Sequence, residues 1–246
     1  MPASPLRIGT AGWNIPSSYA EEMPRKGTHL QRYAGRFNAV EINSSFYRPH
    51  QRKTYERWAQ STPHDFRFAV KLPRAITHES RLYDCGALLD QFVTEVAGLG
   101  DKLSVLLVQL PPSFSLNKRL TRQLLRELRR RIGTPVAFEP RHSSWFKPAV
   151  DQWLAGLDVA RVAADPTRAD GANQPGGWSG LAYYRWHGSP RVYYSEYDAV
   201  ALASLRKDIE AIRGEDTEVW SIFDNTASGA ALGNALELTR MFGEAA

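Results

Sequence analysis

Short apolar runs recur along the chain, and each of them ends in charged or amide side chains. Val40-Glu41-Ile42-Asn43 is followed by Phe68-Ala69-Val70-Lys71 and then by Leu106-Leu107-Val108-Gln109. Short runs of this kind, bounded by turn residues, are typical of strands that are buried on both faces. The pattern predicts strands over Leu6–Thr10, Ala39–Asn43, Arg67–Lys71, Ser104–Gln109, Pro135–Glu139, Asp158–Ala164, Leu181–Trp186 and Glu218–Phe223.

Helical spacing fills the intervals between these runs. The first interval opens with Thr28-x-x-Gln31, which has the spacing of a capping box. The apolar positions predict helices near Thr28–Phe37, Tyr55–Gln60, Ala87–Ala97, Lys118–Ile132, Ala149–Gly156, Val200–Arg213 and Ala230–Phe242. Eight strands alternating with helices predict an α/β fold, a single (β/α)₈ barrel spanning residues 1–246, with an open doubly wound parallel sheet as the alternative.

Composition narrows the class of protein. Hydrophobic residues make up 43% of the 246 residues and charged residues 23%, which suits a large buried core. No apolar run approaches the roughly 20 residues that span a bilayer, and the first residues carry no secretory signal pattern. Cys85 is the only cysteine, so no internal disulfide is expected. These features favour a cytoplasmic protein without a membrane partner, and its oligomeric state stays unknown.

The chain carries a net charge of +5, which favours an anionic partner. Much of the excess lies in Arg126, Arg129, Arg130 and Arg131. These arginines alternate with Leu120, Leu124, Leu128 and Ile132, which repeat every four residues. We therefore interpret them as the solvated face of an amphipathic helix.

The polar residues at the strand ends are the candidate chemistry. Burying one charge at a strand end costs several kcal/mol unless a partner group neutralises it or bonds to it. Because such residues recur at successive strand ends, we expect them to meet in one functional site at the C-terminal ends of the strands. Within one strand Glu41 and Asn43 share a face, as do Arg185 and His187. The candidate catalytic residues are Glu139, Glu41 and His187. The candidate substrate-binding residues are Lys71, Gln109, Arg141, Arg185, Asn43, Tyr47, Trp13 and Asn225.

Three chemistries fit such a mouth to different degrees. Acid–base work on a small polar or anionic molecule would use the carboxylates and His187, with the cations holding the anion. Glycoside hydrolysis is disfavoured because the fourth and seventh strands end in Gln109 and Arg185 instead of carboxylates. A divalent metal could use Glu41, Glu139, Asp165, His142 and His187, but no tight ligand spacing supports it. No cofactor is evident, since Gly9-Thr10-Ala11-Gly12 lacks the rest of a dinucleotide fingerprint.

Aromatic residues near the strand ends support a different class of function. Among them are Trp13, Tyr47, Trp145, Trp186 and Tyr193. Aromatic side chains mixed with arginines are typical of surfaces that stack on sugars or nucleobases. A nucleic-acid-binding or nucleic-acid-processing protein is therefore the alternative, although no recognisable nucleic-acid motif accompanies these residues.

Several motifs along the chain resemble the YecE-like family, known as domain of unknown function 72. They are Ile8-Gly9-Thr10-Ala11-Gly12-Trp13, Val40-Glu41-Ile42-Asn43-Ser44-Ser45-Phe46-Tyr47, Phe66-Arg67-Phe68-Ala69-Val70-Lys71-Leu72-Pro73, Val108-Gln109-Leu110-Pro111-Pro112, Phe138-Glu139-Pro140-Arg141-His142, Tyr184-Arg185-Trp186-His187-Gly188 and Asp224-Asn225-Thr226. The resemblance implies a TIM-barrel fold but no established reaction. Its motifs coincide with the candidate site residues. Where the family often has paired asparagines this chain has Asp224-Asn225, which leaves the role of Asp224 open.

The sequence thus favours an enzyme that uses acid–base chemistry on a small polar or anionic substrate, sugar-like or phosphate-like. A hydrolase, an isomerase or a lyase all remain compatible with it. The alternatives are a nucleic-acid-binding barrel and a barrel that binds a small ligand without catalysis.

Overall fold

A computed structural model describes residues 4–167, 169–214 and 216–243. Its strands are β1 Leu6–Thr10, β2 Ala39–Ile42, β3 Arg67–Lys71, β4 Leu103–Gln109, β5 Val136–Glu139, β6 Val159–Arg161, β7 Ala163–Asp165, β8 Gly176–Gly177, β9 Leu181–Trp186 and β10 Glu218–Phe223. The first five predicted strands and the last two match these bounds within about one residue. The predicted sixth strand is wrong in one respect: it is divided at Val162 into β6 and β7.

The strands form two sheets in which most neighbouring strands run parallel. One has the order β2-β3-β4-β5-β6-β8, in which only β6 and β8 are antiparallel. The other has the order β1-β10-β9-β7 and is parallel throughout. The predicted α/β class with parallel sheets is confirmed. The connection after β7 contains β8, a strand that the sequence pattern does not predict.

Within the described residues, two backbone links join the sheets. Beyond the end of β1, Ala11 forms a parallel bridge with Glu41 of β2, and the Gly12 N–H donates to the Glu41 carbonyl at 2.8 Å. On the other side β6 and β7 are separated by Val162 alone, whose N–H donates to the carbonyl of Phe138 in β5 at 2.8 Å. The split strand therefore pairs with one sheet through its first half and with the other through its second.

Seven helices are described between and after the strands: α1 His29–Ala34, α2 Arg52–Gln60, α3 Gly86–Val96, α4 Lys118–Arg129, α5 Pro148–Ala155, α6 Ala199–Ile212 and α7 Ala230–Gly243. The predicted capping box begins α1: the Gln31 N–H donates to Thr28 Oγ1 at 3.3 Å, and the Thr28 N–H donates to Gln31 Oε1 at 2.8 Å. In α4, Leu124 and Leu128 are buried while Arg126 and Arg129 are exposed, as the amphipathic pattern predicts. None of the helices described is long and apolar enough to cross a membrane.

The inner faces of both sheets share one apolar core. It contains small residues such as Ala39, Ala69 and Ala137 together with the stacked rings of Tyr183 and Trp220, whose centroids are 5.8 Å apart. A second, larger core lies on the opposite faces of the strands and includes apolar residues of the helices. The inner core matters for the site because side chains two residues farther along each strand point the same way.

Candidate functional site

Alternation along the strands places the polar groups on top of the inner core. Glu41 lies two residues after Ala39, Glu139 two after Ala137, and Arg185 two after Tyr183. The same step leads from Ala69 to Lys71, from Leu107 to Gln109 and from Ile222 to Asp224. Because parallel strands end at one edge, these side chains meet above the core. We call Glu41, Glu139, Arg141, Arg185, His187 and Asp224 the charged cluster.

Arg185 lies at the centre of the charged cluster with none of its surface exposed. Its Nη2 lies 2.7 Å from Glu41 Oε1 and 2.8 Å from Asp224 Oδ2. Its Nη1 lies 2.6 Å from Glu139 Oε2, and its Nε 3.0 Å from Glu41 Oε2. One guanidinium therefore bridges carboxylates from both sheets, and no surface is left for direct contact with a substrate. This enclosed position differs from the substrate-binding role that the sequence predicts for Arg185.

Glu41 is also enclosed, and both of its carboxylate oxygens accept hydrogen bonds. The Tyr183 hydroxyl donates to Glu41 Oε2 at 2.9 Å, beside the two bonds from Arg185. Burial first, and then the Glu41 carboxylate, raises the pKa of Tyr183 well above its ordinary value, so the phenol keeps its proton. Tyr183 is not among the site residues predicted from the sequence, although its side chain lies on the same face of the strand as that of Arg185.

Four side chains contact the Glu139 carboxylate. Oε2 accepts from Gln109 Nε2 at 2.9 Å in addition to Arg185, and Oε1 accepts from Arg141 Nη2 at 2.9 Å. The ring Nε2 of His187 lies 3.0 Å from Oε1. Burial is the largest influence and pushes the pKa of Glu139 upward, but Arg185, Arg141 and His187 together hold it well below its ordinary value. Glu139 is therefore ionised at neutral pH.

His187 lies between two carboxylates. Its Nδ1 is 3.1 Å from Asp224 Oδ2, while its Nε2 faces Glu139 Oε1. Arg141 Nη2 also lies 3.3 Å from Nε2. Burial raises the pKa of Asp224, whereas Arg185 and then His187 lower it, and the net result is a pKa below the ordinary value. Asp224 thus orients the imidazole of His187 and shares the Arg185 guanidinium with the two glutamates. Its role is to position both side chains.

Lys71 is also nearly enclosed, with 4% of its surface exposed. Its Nζ lies 4.1 Å from the centroid of the Phe46 ring. Burial, followed by repulsion from Arg185, lowers the pKa of Lys71 to about 8, against the opposing effect of Glu139, Glu41 and Asp224.

A small cleft opens beside the charged cluster, with a cavity volume of about 20 Å³, which is room for about one water molecule. Its walls are formed by Glu139, Pro140, Arg141, Phe146, Val162, Ala164, Pro166, Ala172, His187 and Val192. Three of these side chains are charged or titratable, Glu139, Arg141 and His187, and the others are apolar. An apolar pocket with a few converging polar groups is typical of a site for a small molecule.

Four predicted binding residues make their contacts outside the charged cluster. Trp13 packs edge-on against Trp58, and Tyr47, 70% exposed, packs edge-on against Phe46. Asn225 is enclosed, and its Nδ2 donates to Ser195 O and to Asn234 Oδ1, each at 2.9 Å. Asn43 Oδ1 is buried without a hydrogen-bond partner within the described residues. The strand geometry explains these differences, because the backbone turns at Asn43 and Asn225 has the opposite parity to Asp224.

Two of the five metal ligands considered from the sequence, His142 and Asp165, make their contacts outside the charged cluster. His142 Nδ1 is 2.9 Å from Ser144 Oγ, and Asp165 Oδ2 accepts from the Tyr197 hydroxyl at 2.6 Å. Across residues 4–167, 169–214 and 216–243, no group of three or more His, Cys, Asp or Glu side chains is arranged to hold a metal ion.

Comparison with known proteins identifies the family. The model of the family described as "Protein of unknown function DUF72" matches residues 7–246. The chain belongs to this family. It is 24% identical over 268 residues to the UPF0759 protein YunF of Bacillus subtilis, covering 96% of this chain and 94% of that protein. It is 34% identical to the UPF0759 protein YecE of Escherichia coli K12 over 110 residues, which cover 44% of this chain and 39% of that protein.

Solved structures of this DUF72 family share the fold. The crystal structure of a DUF72 family protein from Enterococcus faecalis V583 superposes with a TM-score of 0.81 at 23% identity. The match covers 97% of this chain and 95% of the other. The match to the family model confirms the family resemblance of the sequence motifs, while the family description names no activity.

Proposed function

We propose that the protein is an enzyme that transfers a proton to or from a small anionic substrate bound in the cleft. The observation that carries this proposal is the composition of the cleft. Glu139, Arg141 and His187 are the charged or titratable groups among its lining residues, and they converge at one corner of otherwise apolar walls. A polar, negatively charged part of the substrate would lie against Arg141, and its apolar part against residues such as Phe146 and Val162.

His187 is the proton carrier in this proposal. Asp224 holds Nδ1, so Nε2 is turned towards Glu139 and the cleft. A carboxylate on one ring nitrogen fixes the orientation of an imidazole and stabilises its protonated form. Glu139, ionised and 3.0 Å away, is the second group that can share the proton with the substrate.

Arg141 is the anion-binding residue. Its Nε and Nη2 are used on Glu139, at 3.1 and 2.9 Å, which orients the guanidinium plane. Nη1 has no partner within the described residues, so its N–H groups are available to a carboxylate or phosphate oxygen. With 14% of the side chain exposed, Arg141 is also the most accessible member of the charged cluster. Glu41 and Arg185, enclosed beneath, position these groups.

The proposed architecture is a closed (β/α)₈ barrel formed by one domain over residues 1–246. Three findings support closure: the Ala11–Glu41 bridge between β1 and β2, the two pairings of the strand split at Val162, and the inner core common to both sheets. In such a barrel the cleft lies at the C-terminal mouth, where the active sites of TIM barrels lie.

The test uses an unfractionated metabolite extract incubated with the protein in D₂O. Mass spectrometry would report the compound that gains deuterium at carbon, since a proton-transfer enzyme exchanges substrate protons with solvent. We expect one or a few labelled small anions with the unmodified protein and none with His187→Gln. Glu210→Gln, at an exposed position of α6, is the matched control and should retain labelling. Equal labelling by His187→Gln, or none by any protein, would count against the proposal.

A nucleic-acid-binding function is the second candidate because of one surface. Lys118, Arg119, Arg122 and Arg126 lie exposed along α4, and none has an ion-pair partner within the described residues. Fluorescence anisotropy with single-stranded DNA at increasing salt would test it. Nucleic-acid affinity falls steeply with salt in proportion to the phosphates contacted, whereas a small ligand in the cleft responds weakly.

A further inference from the structure

Lys71 is a buried amine without a hydrogen-bond acceptor. Its Nζ makes no hydrogen bond and no ion pair within the described residues, although less than a tenth of the residue is exposed. Lys71 Nζ is not completely sealed from solvent, so a narrow opening to the amine remains. A lysine retained only to balance charge would be expected to contact a carboxylate directly.

Lys102 provides the contrast within the same chain. Its Nζ donates to the carbonyls of Ala59 and Thr62 at 2.6 and 2.7 Å, and to Thr62 Oγ1 at 3.1 Å. All three N–H bonds are therefore satisfied. Lys102 has a structural role, whereas the donors of Lys71 are free for a ligand.

The surroundings of Lys71 keep the amine close to the site yet poorly solvated. It ends β3, two residues above Ala69 of the inner core, and the Phe46 ring covers it. The His78 ring packs edge-on against the same phenyl ring, with centroids 4.9 Å apart. The other charged groups that act on Lys71 are Arg185, Glu139, Glu41 and Asp224.

We propose that Lys71 is a nucleophile that condenses with a small carbonyl compound, an aldehyde or a keto acid. The lone pair of the neutral amine attacks the carbonyl carbon and gives a carbinolamine. Loss of the carbonyl oxygen with two hydrogens as water leaves a C=N bond between substrate and Nζ. No oxidant or reductant is consumed, and hydrolysis returns the amine and the carbonyl compound.

This inference deepens the proposed function and rests on it, since the imine would make adjacent C–H protons easier to remove by His187 or Glu139. Burial and the neighbouring guanidinium already lower the pKa of Lys71 to about 8. About one molecule in ten therefore carries a neutral amine at pH 7, far more than for an exposed lysine with a pKa of about 10.4.

Reductive trapping tests the inference. The protein is incubated with glyoxylate and, separately, with glycolaldehyde in the presence of cyanoborohydride, and the modified lysines are mapped by peptide mass spectrometry. At pH 7 we expect labelling at Lys71 to exceed that at exposed Lys147 and Lys207 by about tenfold or more, because those amines are almost fully protonated. Labelling should reach half its maximum near pH 8. Lys71→Arg, which keeps the charge, should lose this label alone.

The outcomes separate this inference from the proposed function. Labelling spread evenly over the surface lysines, or no label on Lys71 between pH 6 and 9, overturns the inference. Deuterium incorporation that persists unchanged in Lys71→Arg also overturns it, and leaves the proposed function standing. Selective label on Lys71 without any deuterium incorporation supports the reactive amine and overturns the proton-transfer function.

Discussion

Arg185 and Glu41 form a two-pronged ion pair that is completely shielded from solvent. Nη2 and Nε of the arginine lie 2.7 and 3.0 Å from the two carboxylate oxygens. Their strands, β9 and β2, belong to different sheets. The pair therefore links the two sheets directly, while the remaining contacts of Arg185 reach Glu139 and Asp224.

Arg185→Met should destabilise the fold strongly. Three buried carboxylates would lose their shared partner, and removing one member of a buried ion pair costs about 3–5 kcal/mol. Urea unfolding monitored by circular dichroism would measure the change. Arg206→Met is the control, because the Arg206–Glu210 pair lies on the surface of α6 and is worth less than about 1 kcal/mol. Equal stability of the two variants would contradict the role of Arg185.

Stability should fall on the acid side of neutrality. The pKa values of Glu139 and Asp224 lie below their ordinary values of 4.5 and 3.8, so the unfolded chain takes up protons first. Their contribution is complete above about pH 5 and is lost as the pH falls towards the folded-state values, by about 1.4 kcal/mol per pH unit for each carboxyl. Urea titrations between pH 7 and 3 would measure this slope. Glu139→Gln should have a shallower slope, and Glu210→Gln an unchanged one.

Lys71→Met should stabilise the protein at neutral pH. The folded state lowers the pKa of Lys71 from 10.5 to about 8, so folding weakens proton binding and costs about 3 kcal/mol below pH 8. That cost fades as the pH rises from 8 to 10.5, because the unfolded chain then also loses the proton. The stability difference between Lys71→Met and the unmodified protein should therefore shrink over this interval. Lys207→Met, on the exposed surface, should show no such trend.

Gly9→Ala tests the contact between β1 and β2. A Cβ at Gly9 would collide with the carbonyl oxygen of Ala39 and would lie 2.9 Å from both its carbonyl carbon and Tyr33 Oη. Overpacking of this kind costs about 1–3 kcal/mol, and the backbone here cannot move aside easily. At Gly133, where nothing lies within 4 Å, alanine should be tolerated. A thermal unfolding midpoint for Gly9→Ala equal to that of Gly133→Ala would argue against a closed barrel.

Asp224→Asn should affect catalysis more than ligand binding. The amide would keep the size of the side chain but remove the carboxylate charge beside Nδ1 of His187, which orients the imidazole ring. We expect the rate of deuterium incorporation to fall by about 100-fold or more, in the range attributed to general acid–base groups. Affinity for the same ligand should change little, because Asp224 does not line the cleft. A loss confined to affinity would contradict this positioning role.

The sequence predicts the strand ends well because alternation is a local rule. Once the strands are recognised, the step of two residues puts Glu41, Glu139 and Arg185 on the same face as the inner core. The same rule could have selected Tyr183 and favoured Asp224 over Asn225, which has the opposite parity. Arg141 follows Pro140, so parity alone could not establish that it reaches back to Glu139.

Beyond the strand ends, the alternation of side chains no longer predicts which way a residue points. Tyr47 follows a turn over Ser44–Phe46, and Trp13 lies three residues after β1, so their directions depend on tertiary packing. The division of the sixth strand at Val162 and its antiparallel partner β8 depend on contacts between distant segments. The cleft is likewise lined by residues from several connections, which no single motif encodes.

The central position of Arg185 also constrains how the chain matures during synthesis. Glu41 and Glu139 emerge from the ribosome long before β9 delivers their guanidinium, and Asp224 follows still later. An N-terminal fragment that ends before β9 would keep Arg141 beside Glu139 but would have to bury Glu41 without its guanidinium partner, which is strongly unfavourable. We therefore expect the centre of the nascent polypeptide to close only after β9 has been translated.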